Sequence, residues 1–582
     1  MASRKRGVNW RLGVVVGFIA LATLALVLRL VQLQVMDHEK YAAEARNIHV
    51  TQETVSSRRG ALLDRNGYPL AASVDTFDVM VEVKRWQQHP DEARADAEAI
   101  AAITQGDPEV MVADVTSASI YEIAVARDLG YETALSIRQL GLPGVRLLSG
   151  SVRLYPEGNL AAQLLGFVGQ DNTGLTGLEA DLEEIVGGDR GTVVFERDGL
   201  GNELAQGSRR EQPPQPGSDV ILTIDRYIQR MAEQELDRAI KEKKAGGGSV
   251  IVVEPETGEI LAMASRPTFD LTKPDLSDES KLAYFRNLAI TDQFEPGSVF
   301  KLVTTAAAID QGLVTPGTWW HDYGSINVSG WTIRNWDLSA NGDQTVGQIL
   351  AKSLNTGAAW LAQLLGPEAF YKYVYNFGFG DVTASSLGGE VPGRVRTEAN
   401  DAANWRLVDM ATNSFGQGIS VTPLQMAMAV SALANDGKLM KPMLVKEVLT
   451  PGGSQETKPE TVRQVVSPET ARTLLDMMGV VVDGISTSLL DVKGYQVGGK
   501  TGTANIIASG GGYKEDAYIS SFAGVVPLED PKLMIYVKID EPKGIPWGTV
   551  VAAPAFERIA QGALAYMKIA PVDPALVAAV DE

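Results

Sequence analysis

Residues 296–301 read Pro-Gly-Ser-Val-Phe-Lys, and an alanine-rich apolar run follows them as far as Ile309. Pro-Gly breaks the preceding structure and the apolar run is typical of a buried helix, so we predict that a helix begins at Ser298. Positions i and i+3 share one face of a helix, which brings the ammonium of Lys301 within reach of the Ser298 hydroxyl. A serine hydroxyl is a poor nucleophile until a base removes its proton. The stretch therefore predicts a nucleophile and its base at the start of one helix.

A second short motif, Ser353-Leu354-Asn355, follows about fifty residues later. The Ser353 hydroxyl could relay a proton to a leaving amine, and the Asn355 amide could hold both Lys301 and a substrate backbone. Such a Ser-x-Asn triplet is common by chance, and a helix-capping serine is its plainer interpretation.

The third motif is Lys500-Thr501-Gly502-Thr503. A lysine acts as a base only when its pKa falls toward neutrality, and burial or a nearby second cation lowers it. Lys500 would supply that second cation and attract a substrate carboxylate, which the hydroxyls of Thr501 and Thr503 would also bind. If this segment is a strand beside the helix start, the backbone N–H groups of Ser298 and Thr503 could form an oxyanion hole.

The same lysine also completes a different pattern, because residues 494–501 fit the G-x-x-x-x-G-K-[ST] phosphate-binding loop. A true phosphate-binding loop lies between a buried strand and a helix. The segment after Thr503 contains Ser509-Gly510-Gly511-Gly512 and has no helical pattern, so we disfavour nucleotide binding. The glycine run itself predicts a hairpin turn, with a mobile rim as the alternative.

Composition narrows the remaining classes of function. The chain has 582 residues, no cysteine, four histidines and a formal net charge of −20. Its length predicts two to four domains, and the missing cysteines exclude disulfides, cysteine nucleophiles and thiolate metal sites. None of the histidines has metal-site spacing or lies near a motif, so we predict no metal, no cofactor and no Ser-His-Asp triad. The acidic balance argues against nucleic acid as a partner.

The N-terminus predicts a single membrane anchor. Residues 1–11 are basic, and Leu12 to Leu28 form 17 residues without a charge. Extension through Leu33 brings the apolar stretch near the ~20 residues that a bilayer needs. A cleaved signal peptide is the alternative, but no small-x-small cleavage site follows the run. The basic flank predicts a cytoplasmic N-terminus and an extracytoplasmic body.

The predicted organisation is a 1–11 tail, a 12–34 anchor, a 35–215 pedestal, a 216–572 catalytic domain and a 573–582 tail. The Pro- and Gly-rich stretch from Gln206 to Gly217 marks the main boundary. Strands and helices mix without a βαβ rhythm, which favours an α+β fold with an antiparallel sheet. The individual elements that the patterns predict are helices over 35–50, 91–142, 226–244, 298–309, 555–567 and from Ser467, and strands over 249–254, 259–264, 519–525 and 533–540.

These three motifs in this order make the chain resemble a class B penicillin-binding protein, a monofunctional peptidoglycan transpeptidase. The resemblance extends into the pedestal, at Arg58-Arg59-Gly60, Asp64-Arg65-Asn66-Gly67 and Arg153-Leu-Tyr-Pro-Glu-Gly158. It implies that Ser298 attacks the D-Ala–D-Ala bond of a stem peptide, releases D-alanine and passes the acyl group to an amine on a neighbouring stem. β-Lactams would acylate Ser298 as substrate mimics.

Within that family the chain looks more like the division-specific type than the elongation type. The segments Glu295-Pro-Gly-Ser298 and Phe415-Gly-Gln-Gly418 carry that similarity. Members of this type work with a polytopic glycosyltransferase of the shape-and-division family and with other division proteins, so such membrane partners are expected here.

Three rival functions remain to be compared. A β-lactamase of the same fold would need a glutamate after the second motif, and Glu390 and Glu398 lie in that range. A β-lactam sensor would need a cytoplasmic effector or several spans, and a scaffold without activity would not need intact motifs. We favour the transpeptidase over all three.

Overall fold

The computed structural model describes residues 6–41, 50–55, 57–196, 207–508 and 510–571. These residues divide into two compact units, one built from residues up to Arg58, 75–151 and 189–216, the other from 59–74, 152–188 and the chain from Gly217 onward. The predicted tail 573–582, residues 42–49 of the predicted helix 35–50, and Ser509 lie outside the described residues.

An antiparallel sheet forms the centre of the larger unit, as the α+β prediction requires. Its described strands, in spatial order, are Ile260–Arg266, Gly247–Val253, Leu533–Asp540, Tyr513–Val526 and Gly498–Ile507. Every neighbouring pair is antiparallel. Gly498–Ile507 is the last strand, so one of its sides is not paired within this sheet; we call it the edge strand.

Both faces of this sheet are covered by helices, which explains why its inner strands read as continuous apolar runs rather than alternating ones. Arg226–Lys243 and Ala553–Met567 pack on one face through a core that includes Leu236 and Phe556. The opposite face carries the core that contains Phe300 and Met426. The nucleophile stretch thus enters the buried core on this face of the sheet, which fixes it in place.

Most of the other helices of the larger unit lie around this second core, whereas Val551 of Gly548–Val551 belongs to the first core. Their bounds are Ala162–Leu165, Gly177–Asp181, Glu183–Val186, Leu288–Thr291, Lys301–Asp310, Val346–Ala351, Asn355–Asn376, Glu398–Asp401, Leu407–Asn413, Pro423–Leu433, Pro468–Asp483 and Gly548–Val551.

Short strands complete this unit. They are Leu62–Leu63, Asp219–Leu222, Trp319–Asp322, Ser325–Val328, Trp331–Arg334, Gly342–Thr345, Lys438–Met440, Val445–Thr450, Gly453–Glu456 and Thr461–Gln464. Ser325–Val328 and Trp331–Arg334 form a hairpin.

The smaller unit has its own apolar core, which contains Val81, Trp86 and Ile100. Its helices are Val83–Gln88, Pro90–Thr104, Pro108–Ser117 and Tyr131–Gln139. Its strands are Val50–Val55, Glu122–Leu129, Val145–Leu154, Gly191–Glu196 and Arg209–Gln212, together with the later part of Pro69–Glu82.

The helical prediction for residues 91–142 is wrong over Glu122–Leu129, which is a strand paired with the Phe77–Glu82 part of its neighbour. Its Ile-Ala-Val-Ala core suits a helix or a strand equally well by composition, and the pairing decides between them. Most other predicted elements are confirmed to within a few residues. Asp225 caps its helix through the N–H groups of Tyr227 and Ile228, and Ser467 caps Pro468–Asp483.

The N-terminal helix Arg6–Val31 continues as a short π-helix, Gln32–Met36. Trp10–Met36 contains an 18-residue window with a mean hydropathy of 2.6, and the stretch is long and apolar enough to cross a membrane. The stretch fits a membrane anchor, and in the described residues it is the only helix that meets this test.

Candidate active site

Ser298 lies in a single 3₁₀ turn, Gly297–Phe300, that runs directly into the helix Lys301–Asp310. Gly297 has a φ of 57°, a left-handed conformation that glycine adopts without strain. Its N–H donates to the carbonyl oxygen of Gly416 at 3.1 Å. Ser298 itself is half-buried while both its neighbours are fully buried, so the backbone is clamped and the side chain faces the cavity described below.

Lys301 is only 1% exposed, and its Nζ donates three hydrogen bonds. The acceptors are the carbonyl oxygen of Ser353 at 2.5 Å, the Ser353 hydroxyl at 3.2 Å and Oδ1 of Asn355 at 2.8 Å. The direct contact with the Ser298 hydroxyl that the helical spacing predicts is not among the hydrogen bonds of the described residues. Burial, with a smaller contribution from the nearby charge of Lys500, holds the pKa of Lys301 well below its usual value. In its neutral form the amine has two hydrogens and one lone pair, so it keeps two of these hydrogen bonds as a donor and its lone pair makes it a competent base.

Ser353 is the point at which the two lysines meet. Nζ of Lys500 donates to the Ser353 hydroxyl at 3.0 Å, opposite the 3.2 Å bond from Lys301. Burial lowers the pKa of Lys500 to about 7. The backbone of Ser353 has a φ of 57°, which is rare for a residue with a side chain. Such strain, worth about 1–3 kcal/mol, persists only where the surroundings enforce it and is common at active sites.

Asn355 is the first residue of the helix Asn355–Asn376. Its Oδ1 accepts from Lys301, and its Nδ2 donates to the carbonyl oxygen of Arg334 at 3.2 Å. Since an amide nitrogen carries two hydrogens, the second remains for a substrate carbonyl.

Lys500, Thr501, Gly502 and Thr503 follow one another on the edge strand. A β-carbon added at Gly502 would lie 2.9 Å from the carbonyl oxygen of Pro296, and one added at Gly297 would lie 2.9 Å from that of Thr503. The edge strand and the nucleophile turn therefore touch through their backbones. This contact supports the proposal that the N–H groups of Ser298 and Thr503 face one oxyanion, which stays a prediction.

A cavity of about 620 Å³ opens at this junction. Ser298, Ser353, Asn355, Lys500, Thr501 and Thr503 line it. Lys301 and Gly502 lie behind that lining, where the lysine contacts Ser353 and Asn355 and the glycine lets the strand approach. All of the residues predicted for the site are thereby brought to one place.

Sequence reasoning missed two features of this site. The first is an aromatic pair: Trp336 and Trp547 both line the cavity, and their rings meet edge to face with centroids 5.3 Å apart.

The second feature is Glu295, noted only as part of a family-like segment. It is buried and accepts from the Gly418 N–H at 2.8 Å and the Tyr513 hydroxyl at 3.0 Å. Burial raises the pKa of Glu295. Glu295 connects the nucleophile turn to the segments that contain Gly418 and Tyr513. Its position three residues before Ser298 was the only signal in the sequence for this role.

Gly416 offers a test of how tightly the nucleophile is held. Its φ is 79°, and a β-carbon there would overlap the backbone of Gly297. We expect Gly416→Ala to shift the Ser298 turn and lower the acylation rate by a penicillin roughly 100-fold, because a 1 Å misplacement costs about that much. The control is Gly317→Ala, where a β-carbon has open space and φ is not positive. An unchanged rate in Gly416→Ala, measured by stopped-flow acylation, would contradict this account.

The geometry disfavours the phosphate-binding loop and offers no support to the β-lactamase. Lys500 lies within a strand, and the described residues that follow it continue that strand to Ile507 rather than beginning a helix. Glu390 accepts from the side chains of Thr383 and Ser385, and neither it nor Glu398 lines the cavity.

Comparison with known proteins identifies both halves of the chain. The family model for the penicillin-binding protein transpeptidase domain matches residues 248–561, and that for the penicillin-binding protein dimerisation domain matches residues 54–222. Stage V sporulation protein D of Bacillus subtilis is 36% identical over 93% of this chain and 83% of its own length. Peptidoglycan D,D-transpeptidase FtsI of Escherichia coli is 30% identical over 97% and 93%. Among solved structures, penicillin-binding protein 3 of Mycobacterium tuberculosis, complexed with aztreonam, is 28% identical and covers 90% of this chain and 99% of its own, with a TM-score of 0.68.

Proposed function

This chain belongs to the penicillin-binding protein transpeptidase family, and on that premise we propose that it cross-links peptidoglycan stem peptides by D,D-transpeptidation through an acyl intermediate on Ser298. The single observation that carries the assignment of residues is the convergence of Lys301 and Lys500 on the Ser353 hydroxyl beside Ser298. Structural lysines rarely lie buried as a pair without a carboxylate between them.

In the acylation step, the Ser298 oxygen attacks the carbonyl carbon of the D-Ala–D-Ala peptide bond while its proton passes to the neutral amine of Lys301. Because the hydrogen bonds of Lys301 lead to Ser353, we assign the transfer to a small movement of Nζ or to a route through the Ser353 hydroxyl. The peptide C–N bond then breaks, the leaving amine takes a proton from Ser353, and Ser353 regains one from Lys301. D-Alanine is released and the acyl group remains on Ser298.

In the second step, an amine of a neighbouring stem attacks the ester carbonyl and gives its proton to Ser353 and Lys301. The bond between the acyl carbon and the Ser298 oxygen then breaks, Ser298 regains its proton from Lys301, and the cross-linked peptide is released. Lys500, Thr501 and Thr503 bind the terminal carboxylate of the donor stem. The N–H groups of Ser298 and Thr503 stabilise the oxyanion in both steps, an effect worth roughly 10²–10³-fold per donor.

The decisive experiment uses a β-lactam, which acylates such a serine and leaves slowly. The solubilised protein is incubated with a penicillin, digested and analysed by mass spectrometry. We expect one adduct, on the peptide that contains Ser298, with a lifetime of many minutes. An adduct elsewhere would overturn the site, and turnover of the penicillin within seconds would instead favour a β-lactamase.

The pKa values of the two lysines predict a bell-shaped pH dependence for acylation by a carboxylated penicillin. Lys301 must be neutral, so the rate falls as the pH drops through its lowered pKa. Lys500 must be protonated to attract the carboxylate, so the rate also falls as the pH rises through about 7. Since arginine stays protonated at all accessible pH, Lys500→Arg should lose the alkaline limb. Exposed Lys438→Arg serves as the control, and an alkaline limb that persists in Lys500→Arg would assign it to another group.

The setting of the enzyme also belongs to this proposal. We place its N-terminus in the cytoplasm and its body outside the membrane, because the basic residues precede the apolar helix. We assign it to the division-specific type and so to septal wall synthesis, with a polytopic glycosyltransferase and other division proteins as partners. The 12–34 anchor, 35–215 pedestal and 216–572 catalytic domain remain predicted boundaries.

A further inference from the structure

A buried polar cluster lies directly beneath the start of the Asn355–Asn376 helix. Its members are Asp322, Asn335, Asn341 and Thr356, and we call it the Asp322 cluster. Asp322 and Thr356 are fully buried and Asn335 is 2% exposed. An ionised carboxylate in such a place is costly unless donors surround it.

Asp322 has those donors. Its Oδ1 accepts from the Gly324 N–H at 2.9 Å and the Thr356 hydroxyl at 2.9 Å. Its Oδ2 accepts from Nδ2 of Asn335 at 2.7 Å and from Nδ2 and N–H of Asn341 at 2.8 and 3.1 Å. Burial alone would raise the pKa of Asp322, but the hydrogen bonds from Asn341, Gly324 and Thr356 outweigh it and the pKa lies below its usual value. The group is therefore a carboxylate at neutral pH.

Asn355 and Thr356, the first two residues of the Asn355–Asn376 helix, each donate a hydrogen bond to a residue at or directly after the end of the Trp331–Arg334 strand. The Thr356 N–H donates to Oδ1 of Asn335 at 3.3 Å, and Nδ2 of Asn355 donates to the carbonyl oxygen of Arg334 at 3.2 Å. Asn335 is itself fixed by Asp322. A displacement of Asn335 would thus move the Arg334 carbonyl and the start of the helix together.

We propose that Asp322 is a positioning residue for the reaction, which acts through Asn335 and Thr356 to aim Oδ1 of Asn355 at the amine of Lys301. The inference rests on the proposed function. Because Nδ2 of Asn355 is committed to Arg334, its Oδ1 must face the opposite way, toward Lys301 at 2.8 Å. The cluster therefore controls one of the three acceptors that Lys301 has.

The hydrogen bond from Lys301 to Oδ1 of Asn355 affects the basicity of the amine as well as its position. An acceptor favours the protonated amine, so loss of the Asn355 contact lowers the pKa of Lys301 further. Lys500, on the edge strand, is the charged group whose field acts on Lys301. Ser353 and Asn355 face the amine as neutral groups from the turn and the helix that pack on Lys301–Asp310. Disruption of the Asp322 cluster should therefore change the acid limb of the acylation profile and leave the limb due to Lys500 in place.

The test compares four variants with the wild type. Asp322→Asn puts an amide NH₂ against the donors of Asn335 and Asn341, and Thr356→Val removes one hydroxyl with little change in volume. Thr356→Ser keeps that hydroxyl. Asp343→Asn makes the same carboxylate-to-amide change at an exposed position on the strand paired with Trp319–Asp322.

The rate constant for acylation by a fluorescent penicillin is measured across pH, and labelling at saturation counts the folded sites. For Asp322→Asn and Thr356→Val we expect a roughly 10–100-fold lower rate constant and an acid limb displaced to lower pH. Thr356→Ser and Asp343→Asn should stay within about twofold of the wild type, a difference too small to report a lost contact.

An unmoved acid limb in both Asp322→Asn and Thr356→Val would overturn the proposal, whether the rate per folded site falls or not, because a purely structural role lowers the number of sites and spares the profile. If the proposed function itself is wrong, the result is different: the wild type carries no penicillin adduct on Ser298.

Discussion

Replacement of Ser298 by alanine should abolish covalent labelling by penicillin and all release of D-alanine from a stem-peptide substrate. The side chain is half-buried beside the cavity, so loss of one oxygen removes the nucleophile and little packing. The free energy of unfolding should stay within about 0.5 kcal/mol of the wild type, as for substitutions that remove no core contact. Gel fluorescence after incubation with a labelled penicillin measures the first effect, and thermal unfolding measures the second.

The control for this experiment is Ser454→Ala, which makes the same change on an exposed strand. It should label like the wild type. Residual labelling of Ser298→Ala at the wild-type stoichiometry would show that another residue is the nucleophile. Loss of labelling together with loss of folding would remove the support that this variant offers.

Replacement of Lys301 by methionine should lower the acylation rate constant by roughly 10²–10⁴-fold, the range typical of a general base. Methionine keeps an unbranched stem of similar length in a fully buried site, so the helix should remain packed. The carbonyl oxygen of Ser353 and Oδ1 of Asn355 would each lose a donor, which costs about 1–3 kcal/mol of stability. Stopped-flow acylation at several penicillin concentrations separates the chemical step from binding, and we expect the loss in the chemical step.

Exposed Lys372, on the Asn355–Asn376 helix, provides the matched variant Lys372→Met. It removes the same charge from the same protein without touching the cavity. A Lys301→Met rate within tenfold of this control would assign proton removal to a different group, with Lys500, the other lysine of the site, as the first candidate.

The sequence predicts the site correctly where a local rule of secondary structure applies. Pro296 and Gly297 before an apolar run predict the start of a helix, and the structure has the nucleophile turn there. Alternating or continuous apolar runs identify the strands of the central sheet, because burial on one or both faces leaves a direct imprint on the residues. The order of the three motifs then indicates the chemistry.

Features that depend on contacts between distant segments were not predictable. The helical prediction is wrong over Glu122–Leu129 because the pairing partner of this strand lies at least forty residues earlier in the chain. The helical i, i+3 rule placed Lys301 against Ser298, whereas the oxygen atoms of Ser353 and Asn355, some fifty residues later, attract the amine instead. Asp322 gave no signal, since a lone aspartate in a loop-rich segment is usually solvated and only the fold shows that it is enclosed.

The left-handed backbone at Ser353 limits which amino acids that position can accept. Glycine would relieve the torsion but has no hydroxyl for the two lysines, and asparagine tolerates the torsion but is too long for the gap between them. Threonine keeps the hydroxyl, yet its β-branch makes a φ of 57° more costly. The demands of the backbone and of the chemistry thus point to different residues, and serine is the compromise. Few substitutions at Ser353 can therefore change the reaction with a β-lactam and still keep the enzyme active. We expect such substitutions in the surrounding segments instead.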